Sequence, residues 1–234
     1  MPDTRFPENR KQLPKVLVFD TSGPFVAVGG GTNGSFGGRV LDMAKGQAET
    51  LFPTIEGFLT DSGWTLADID VIGVATGPGN FTGIRISVSA ARGLGLALGI
   101  PVFGITQFEL AYGHLPVPHG TLVSVPAPRD LAYVQGFGTG VIIGQPQIID
   151  PAHPPRDLQL PFEMEIRGHR ASEIAVHFNA AGYDDAYKPD PARMADIAQT
   201  KYLEAAAFPP PPAPNYVKPP DAAPARDTPP RIVA

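Results

Sequence analysis

The segment Gly77–Arg85, reading GPGNFTGIR, limits the fold more than any other stretch, because it has to carry the chain from a buried strand into a helix. Val71, Ile72, Gly73, Val74 and Ala75 precede it, apolar or glycine at every position, which is the pattern of a strand covered on both faces. Gly77, Pro78 and Gly79 turn the chain, since glycine tolerates positive φ and proline fixes its own. Asn80 or Thr82 then offers a side-chain oxygen to cap a helix starting near Phe81. Spacing by three and four puts Ile84, Val88, Ala91, Gly95 and Leu98 on the inward face of that helix. Ser87, Ala90, Ala91 and Gly95 are small enough to let another backbone come close, from this fold or from a second protein.

The turn has two readings. One is structural. The other is a phosphate cradle, in which free amides at a helix N-terminus attract an anion; Gly77, Gly79 and Asn80 would line it. As a Walker loop the motif is incomplete, because Gly83 is followed by Ile84 and Arg85 where lysine and a hydroxyl residue are required. The dinucleotide fingerprint fails as well, with Thr82 in the place of its third glycine. Asp20, Thr21 and Ser22 end the strand-like run KVLVFD with a carboxylate and two hydroxyls, a placement that holds metal-bound phosphate in some ATPases. Ordinary turn chemistry accounts for the same three residues, and nucleotide contact is the alternative.

At 234 residues the chain can bury a sizeable core in one large domain or two lobes. Its net charge of -5 is spread out without a dense basic block, which argues against a stand-alone nucleic-acid binder. The absence of cysteine excludes disulfides, thiolate metal sites and a cysteine nucleophile. The polar N-terminus lacks an apolar leader, and no segment has eighteen uninterrupted apolar residues, so a soluble cytoplasmic protein without membrane contact is expected.

In chain order, Phe25–Gly29 reads as a hairpin partner of the first strand, Gly29–Gly38 as a loose, glycine-rich hairpin loop with little packing, and Arg39–Ala44 as a continuation of the sheet. Ala48–Asp61 reads as a helix with Leu51, Ile55, Phe58 and Leu59 on one face, and it could share a packed surface with the helix after Gly83. Ile100–Ile105 completes a β-α-β unit. Thr121–Val125, Leu131–Phe137 and Gln147–Ile149 suggest strands of a second lobe, and Ala171–Ala181 a helix. Pro191–Ala207 is a further helix, with Met194, Ile197, Ala198 and Leu203 on one stripe, stopped by FPPPPAP. Residues 208–220 should then lie extended against the body of the protein.

KVLVFDTS, AETLFPTIEGFL, IGVATGPGNFTGIRISVSAARGLGLALGIPVFGIT and PNYVKPPDA follow one another in an order that resembles the TsaB family, also called YeaZ. GPGNFTGIR matches that family's GPGSFTGLR-type signature with Asn80 and Ile84 as variations. The resemblance implies a shortened two-lobed α/β fold of the actin, sugar-kinase and Hsp70 ATPase type. It places a first lobe at residues 15–104 and a second at 105–217 including the helix 191–207; the polar stretches 1–14 and 221–234 read as flexible tails. It also implies a non-catalytic subunit in bacterial synthesis of N6-threonylcarbamoyladenosine beside the tRNA anticodon. The implied partners are the catalytic paralogue TsaD and the ATPase TsaE, with a homodimer in isolation and tRNA met only through the complex.

The residues expected to bind the partner are Leu51, Ile55, Phe58, Phe81, Thr82, Arg85, Val88 and Ala91. No cofactor is required on this reading, and weak ATP or ADP binding is allowed at the partner interface. In TsaD an H-x-x-x-H pair helps hold a metal; the matching stretch here is GITQFELA, with Gln107 and Ala111 at the two positions, so no metal site is expected. Many TsaB sequences open the second lobe with Asp-Ala-Arg, whereas this chain has Val125, Pro126, Ala127, Pro128 and Arg129. An ATPase using Asp20 is the alternative function, and a glycoprotease-like metallopeptidase a more distant one.

Overall fold

A computed structural model describes residues 13–112, 120–138, 141–156, 158, 164–185 and 188–217. The expected tails at 1–14 and 221–234 fall outside these residues except for Leu13 and Pro14. The elements run β1 (Val16–Asp20), β2 (Phe25–Thr32), β3 (Ser35–Asp42), α1 (Gln47–Ser62), β4 (Val71–Gly77), α2 (Phe81–Leu98), β5 (Val102–Thr106) and α3 (Gln107–Tyr112). They continue with β6 (Thr121–Pro126), β7 (Ala132–Gly138), β8 (Val141–Ile149), β9 (Glu165–Gly168), α4 (Ala171–Phe178), β10 (Ala181–Asp184) and α5 (Pro191–Glu204).

Two five-stranded sheets result, ordered β3-β2-β1-β4-β5 and β8-β7-β6-β9-β10. In the first, β1 pairs antiparallel with β2 and parallel with β4; in the second, β6 pairs antiparallel with β7 and parallel with β9. The second sheet therefore repeats the topology of the first, β6 to β10 standing for β1 to β5. α2 crosses from β4 to β5 as α4 crosses from β9 to β10. The second lobe is the shorter one: α1 joins β3 to β4, and no helix joins β8 to β9 among the described residues.

The unbroken apolar runs are explained by layers on both sides of the first sheet. Leu17 and Phe19 of β1 face α1 and α2 in a core with Leu51, Ile55, Phe58, Ile84, Val88 and Ala91. Val16 and Val18 point the other way, into a core with Met194, Ala195, Ile197, Ala198 and Tyr202 of α5. Alternation along a strand separates the two sets. The second sheet packs α4 on one face through Ile174 and Ala175, and α3 on the other through Phe108.

The structure corrects four expectations. The helix at 191–207 does not belong to the second lobe: α5 ends at Glu204 and packs its apolar stripe on the first sheet, over β1, β2, β3 and β4. Tyr202 replaces Leu203 on its buried stripe, and Leu203 is exposed. The boundary at 104/105 cuts through β5.

The glycine run is not a loose loop either. Gly29–Gly31 and Gly37–Gly38 lie in paired strands around a two-residue Asn33-Gly34 turn, with both central residues at positive φ (55° and 72°). A Cβ on Gly29 or Gly38 would stand 2.6 Å from the Pro191 ring, so these glycines admit the start of α5 against the sheet. β9 and β10 were not foreseen, being only four residues each.

Candidate functional site

The β1–β2 turn and the N-terminus of α2 close on each other. Asn80 caps α2 by accepting from the Gly83 amide at 2.9 Å, and the Asn80 amide donates to the Ser22 carbonyl at 2.6 Å. The Thr21 hydroxyl donates to the Gly83 carbonyl at 2.6 Å. Gly79 and Gly83 of GPGNFTGIR admit this contact. A Cβ on Gly83 would stand 1.8 Å from the Thr21 carbonyl oxygen, and one on Gly79 2.6 Å from that of Ser22. Gly77 ends β4 at φ 93°, where its Cβ position is filled by Ile84.

Asp20 is fully buried, and its carboxylate accepts from the Ser22 amide at 2.6 Å and from Gln107 Nε2 at 2.9 Å. The same Gln107 nitrogen donates to Ser22 Oγ at 2.8 Å. A buried carboxylate is costly unless such donors surround it. Gln107 therefore ties the first turn of α3 to the end of β1, a role that the sequence did not announce. Of the six nucleotide candidates Asp20, Thr21, Ser22, Gly77, Gly79 and Asn80, Ser22 is bonded to both Asp20 and Asn80, and Thr21 to Gly83.

Above them a cleft of about 340 Å³ opens between the lobes, lined by Ser22, Gly23, Pro24, Gly79, Asn80 and Gln107 on one side and by Val125–Pro128 and Tyr133 on the other. Its lining side chains are uncharged. Burial pushes the Tyr133 phenol up, so it stays a neutral donor. At the rim, Arg129 and Asp130 both have positive φ (62° and 63°), and the Arg170 guanidinium donates to the Asp130 carbonyl at 2.7 Å. This strained turn follows Val125–Pro128, the stretch where the resemblance implies Asp-Ala-Arg.

Where TsaD places two histidines, this chain has an amide engaged with Asp20 and an alanine methyl, a donor set that does not fit a metal ion. Among the described residues no group of three or more His, Asp or Glu could hold one.

The expected partner-binding residues divide sharply. Leu51, Ile55, Phe58, Val88 and Ala91 are buried between α1, α2 and the sheet, at 8% exposure or less, so they serve the core of this chain. The periodicity that marked them as a face marked the core face. Thr82 and Arg85 are exposed and Phe81 is half-buried. The true outer side of the helix pair carries Phe52 at 46% exposure and Leu96 at 86%, beside exposed Ser89, Gly93 and Ala97. No helix of the described residues is long and apolar enough to cross a membrane.

The proline-rich segment after α5 returns to this region. Pro212 is buried against Gly104 of β5, the Asn215 amide donates to the Thr76 carbonyl at 2.8 Å, and Val217 joins the second-lobe core of Phe108, Val123, Val125 and Tyr133. Tyr216 packs on Phe81 with ring centroids 5.0 Å apart. The aromatic residue after a proline run was the signal for this docking.

A family model described as TsaD, tRNA N6-adenosine threonylcarbamoyltransferase, matches residues 36–145. An uncharacterized protein of Mycobacterium tuberculosis is 35% identical over 136 residues, covering 57% of this chain and 64% of that relative. The tRNA threonylcarbamoyladenosine biosynthesis protein TsaB of Escherichia coli is 30% identical over 100 residues, 42% of this chain and 43% of its own length. The matched segments thus span less than two thirds of these relatives. Among solved structures, YeaZ from Pseudomonas aeruginosa superposes with a TM-score of 0.64 at 19% identity, covering 83% of this chain and 94% of its own. An uncharacterized Pseudomonas aeruginosa protein with similarity to peptidase YeaZ gives 0.68 at 19% identity, covering 88% and 100%. The two-lobed α/β fold is the one these structures share.

Proposed function

We propose, from the premise that this chain belongs to the TsaB/YeaZ family, that it is a non-catalytic subunit serving the biosynthesis of tRNA threonylcarbamoyladenosine. It docks the threonylcarbamoyltransferase TsaD through the outer face of α1 and α2, is joined there by TsaE, and meets tRNA only through that complex in the cytoplasm. The observation that carries this reading is the outer face itself. Leu96 and Phe52 stand in solvent on adjacent helices, with Ser89, Gly93 and Ala97 leaving room for a partner backbone between them. In isolation the same face pairs with a second copy. Exposed Glu49 and Glu56 lie on α1 and exposed Arg85 and Arg92 on α2, so a two-fold pairing that sets α1 against α2 of the second copy brings opposite charges together.

A positioning role suits the cleft chemistry. The Asp20 carboxylate is bonded to Gln107 and Ser22, and among the described residues no lysine or arginine lines the cleft to offset a polyphosphate. Docking therefore requires no nucleotide; weak ATP or ADP binding belongs to the interface with the partner.

The test is reconstitution of the tRNA modification from purified components with and without this chain, alongside binding to the cognate TsaD. Modification should require the chain, and Leu96→Glu should weaken the complex about tenfold or more with the fold intact by circular dichroism. Full modification without the chain, or separate elution of the two proteins, would overturn the reading.

A further inference from the structure

Among the described residues, Arg85 is held by two aromatic rings and a hydroxyl. Its guanidinium lies 3.6 Å from the centroid of the Phe81 ring and 5.9 Å from that of Tyr216, and its Nε donates to the Tyr216 hydroxyl at 2.9 Å. Phe81 and Arg85 sit one turn apart on α2, but Tyr216 arrives from the far end of the chain. It is set in place by the Asn215 amide on Thr76 and by Val217 in the second-lobe core. Nε is thus taken, the flat face is covered by an aromatic ring, and the two terminal nitrogens are left on an exposed side chain. Among the described residues no carboxylate pairs with Arg85.

We propose that the C-terminal strap, through Tyr216, holds Arg85 as a preformed anchor for a carboxylate of the protein that docks on α1 and α2. The inference rests on the docking reading above and names the group that its partner presents. A free arginine loses much rotamer entropy on pairing; one already clamped by two rings and a hydroxyl loses less. Stacking leaves the fork geometry that a carboxylate meets with two parallel bonds.

The surroundings select a protein over a nucleic acid. On the exposed side of α2, Arg92 is the other cation, and Thr82, Ser89, Gly93, Leu96 and Ala97 are neutral, while the chain carries a net charge of -5. A phosphate backbone is gripped by many cations. Two cations beside an exposed leucine suit an acidic side chain at the rim of an apolar contact.

The experiment measures affinity of the full chain for the cognate TsaD by calorimetry, at low and high salt, for wild type, Arg85→Ala, Arg85→Lys, Tyr216→Phe and Leu96→Glu. Each variant's fold is checked by thermal melting. Arg85→Ala should weaken binding about tenfold and flatten its salt dependence, and Arg85→Lys should recover only part of the loss. Tyr216→Phe keeps the ring but loses the hydroxyl, and should cost about threefold.

If Leu96→Glu weakens the complex while Arg85→Ala and Tyr216→Phe bind as wild type, the anchor is wrong and the docking face stands. If none of the variants changes affinity, the docking face is wrong and the anchor falls with it. If Arg85→Ala spares protein binding but lowers retention of tRNA in a filter assay, the anion is a phosphate and the proposal is overturned.

Discussion

Replacing Gly83 by alanine sets two physical rules against each other. Helix propensity favours the change by about 1 kcal/mol, since glycine inside a helix costs that much relative to alanine. The structure opposes it: the new Cβ would stand 1.8 Å from the Thr21 carbonyl oxygen, 2.9 Å from its carbon and 3.3 Å from Ser22 Cα, all of them backbone.

Thr21 is fully buried and Ser22 nearly so, so the turn cannot swing aside as a flexible side chain would. Overpacking of this kind costs about 1–3 kcal/mol. Separating the two segments also lengthens the 2.6 Å bond from the Thr21 hydroxyl to the Gly83 carbonyl, a loss of about 1 kcal/mol.

The clash and the lost bond outweigh the propensity, and Gly83→Ala should be destabilised by about 1–3 kcal/mol. For a chain of this size that lowers Tm by about 2–12 °C. Gly93, on the same helix, has nothing within 4 Å of its Cβ position. There propensity acts alone, and Gly93→Ala should raise stability by about 0.5–1 kcal/mol. Thermal and urea unfolding followed by circular dichroism read both variants. A Gly83→Ala protein as stable as wild type, or two variants that shift in the same direction, would refute the reasoning.

Two further outcomes follow from buried and charged groups. Gln107→Leu removes the amide that donates to Asp20 and Ser22 and should cost about 1–3 kcal/mol in urea unfolding. Gln107→Glu sets a second carboxylate beside Asp20, so its deficit should be largest at neutral pH and shrink as acid protonates the pair; a neutral Gln107→Leu variant would contradict this account. At the tight turn Leu66–Asp68, the Thr65 amide, its hydroxyl and Lys15 hold the Asp68 carboxyl at about 2, below its usual 3.8. The stability that this carboxylate contributes is complete above pH ~4 and disappears as pH falls toward ~2. The gap between wild type and Asp68→Asn should therefore close over that range, and a gap independent of pH would exclude the mechanism.

Much of the local structure was legible from residue order. The apolar run before GPGNFTGIR, the turn-forming Gly77 and Gly79 and the capping Asn80 located β4, the turn and α2, because turn chemistry and capping depend on neighbours a few positions apart. Gly63 marked the end of α1 for the same reason, adopting φ 67° and donating its amide to Leu59 and Thr60. The glycine-rich hairpin was misread because glycine speaks for a turn locally, whereas here it makes room for α1 on one side of the sheet and Pro191 on the other.

The candidate site shows where the local signal stops. Periodicity identified Leu51, Ile55, Phe58, Val88 and Ala91 as one face of a helix pair, yet it cannot say whether that face meets the chain's own sheet or another protein. Only the packed structure assigned it to the core and left Leu96 and Phe52 outside. The same holds for α5, whose stripe was plain in the sequence and whose sheet was not, and for Tyr216, which meets Arg85 across 131 positions of chain. Strand, turn and cap are set by covalent neighbours and their dihedral limits; what covers a face is set by which surfaces find each other once the chain has closed, and no short window of residues contains that information.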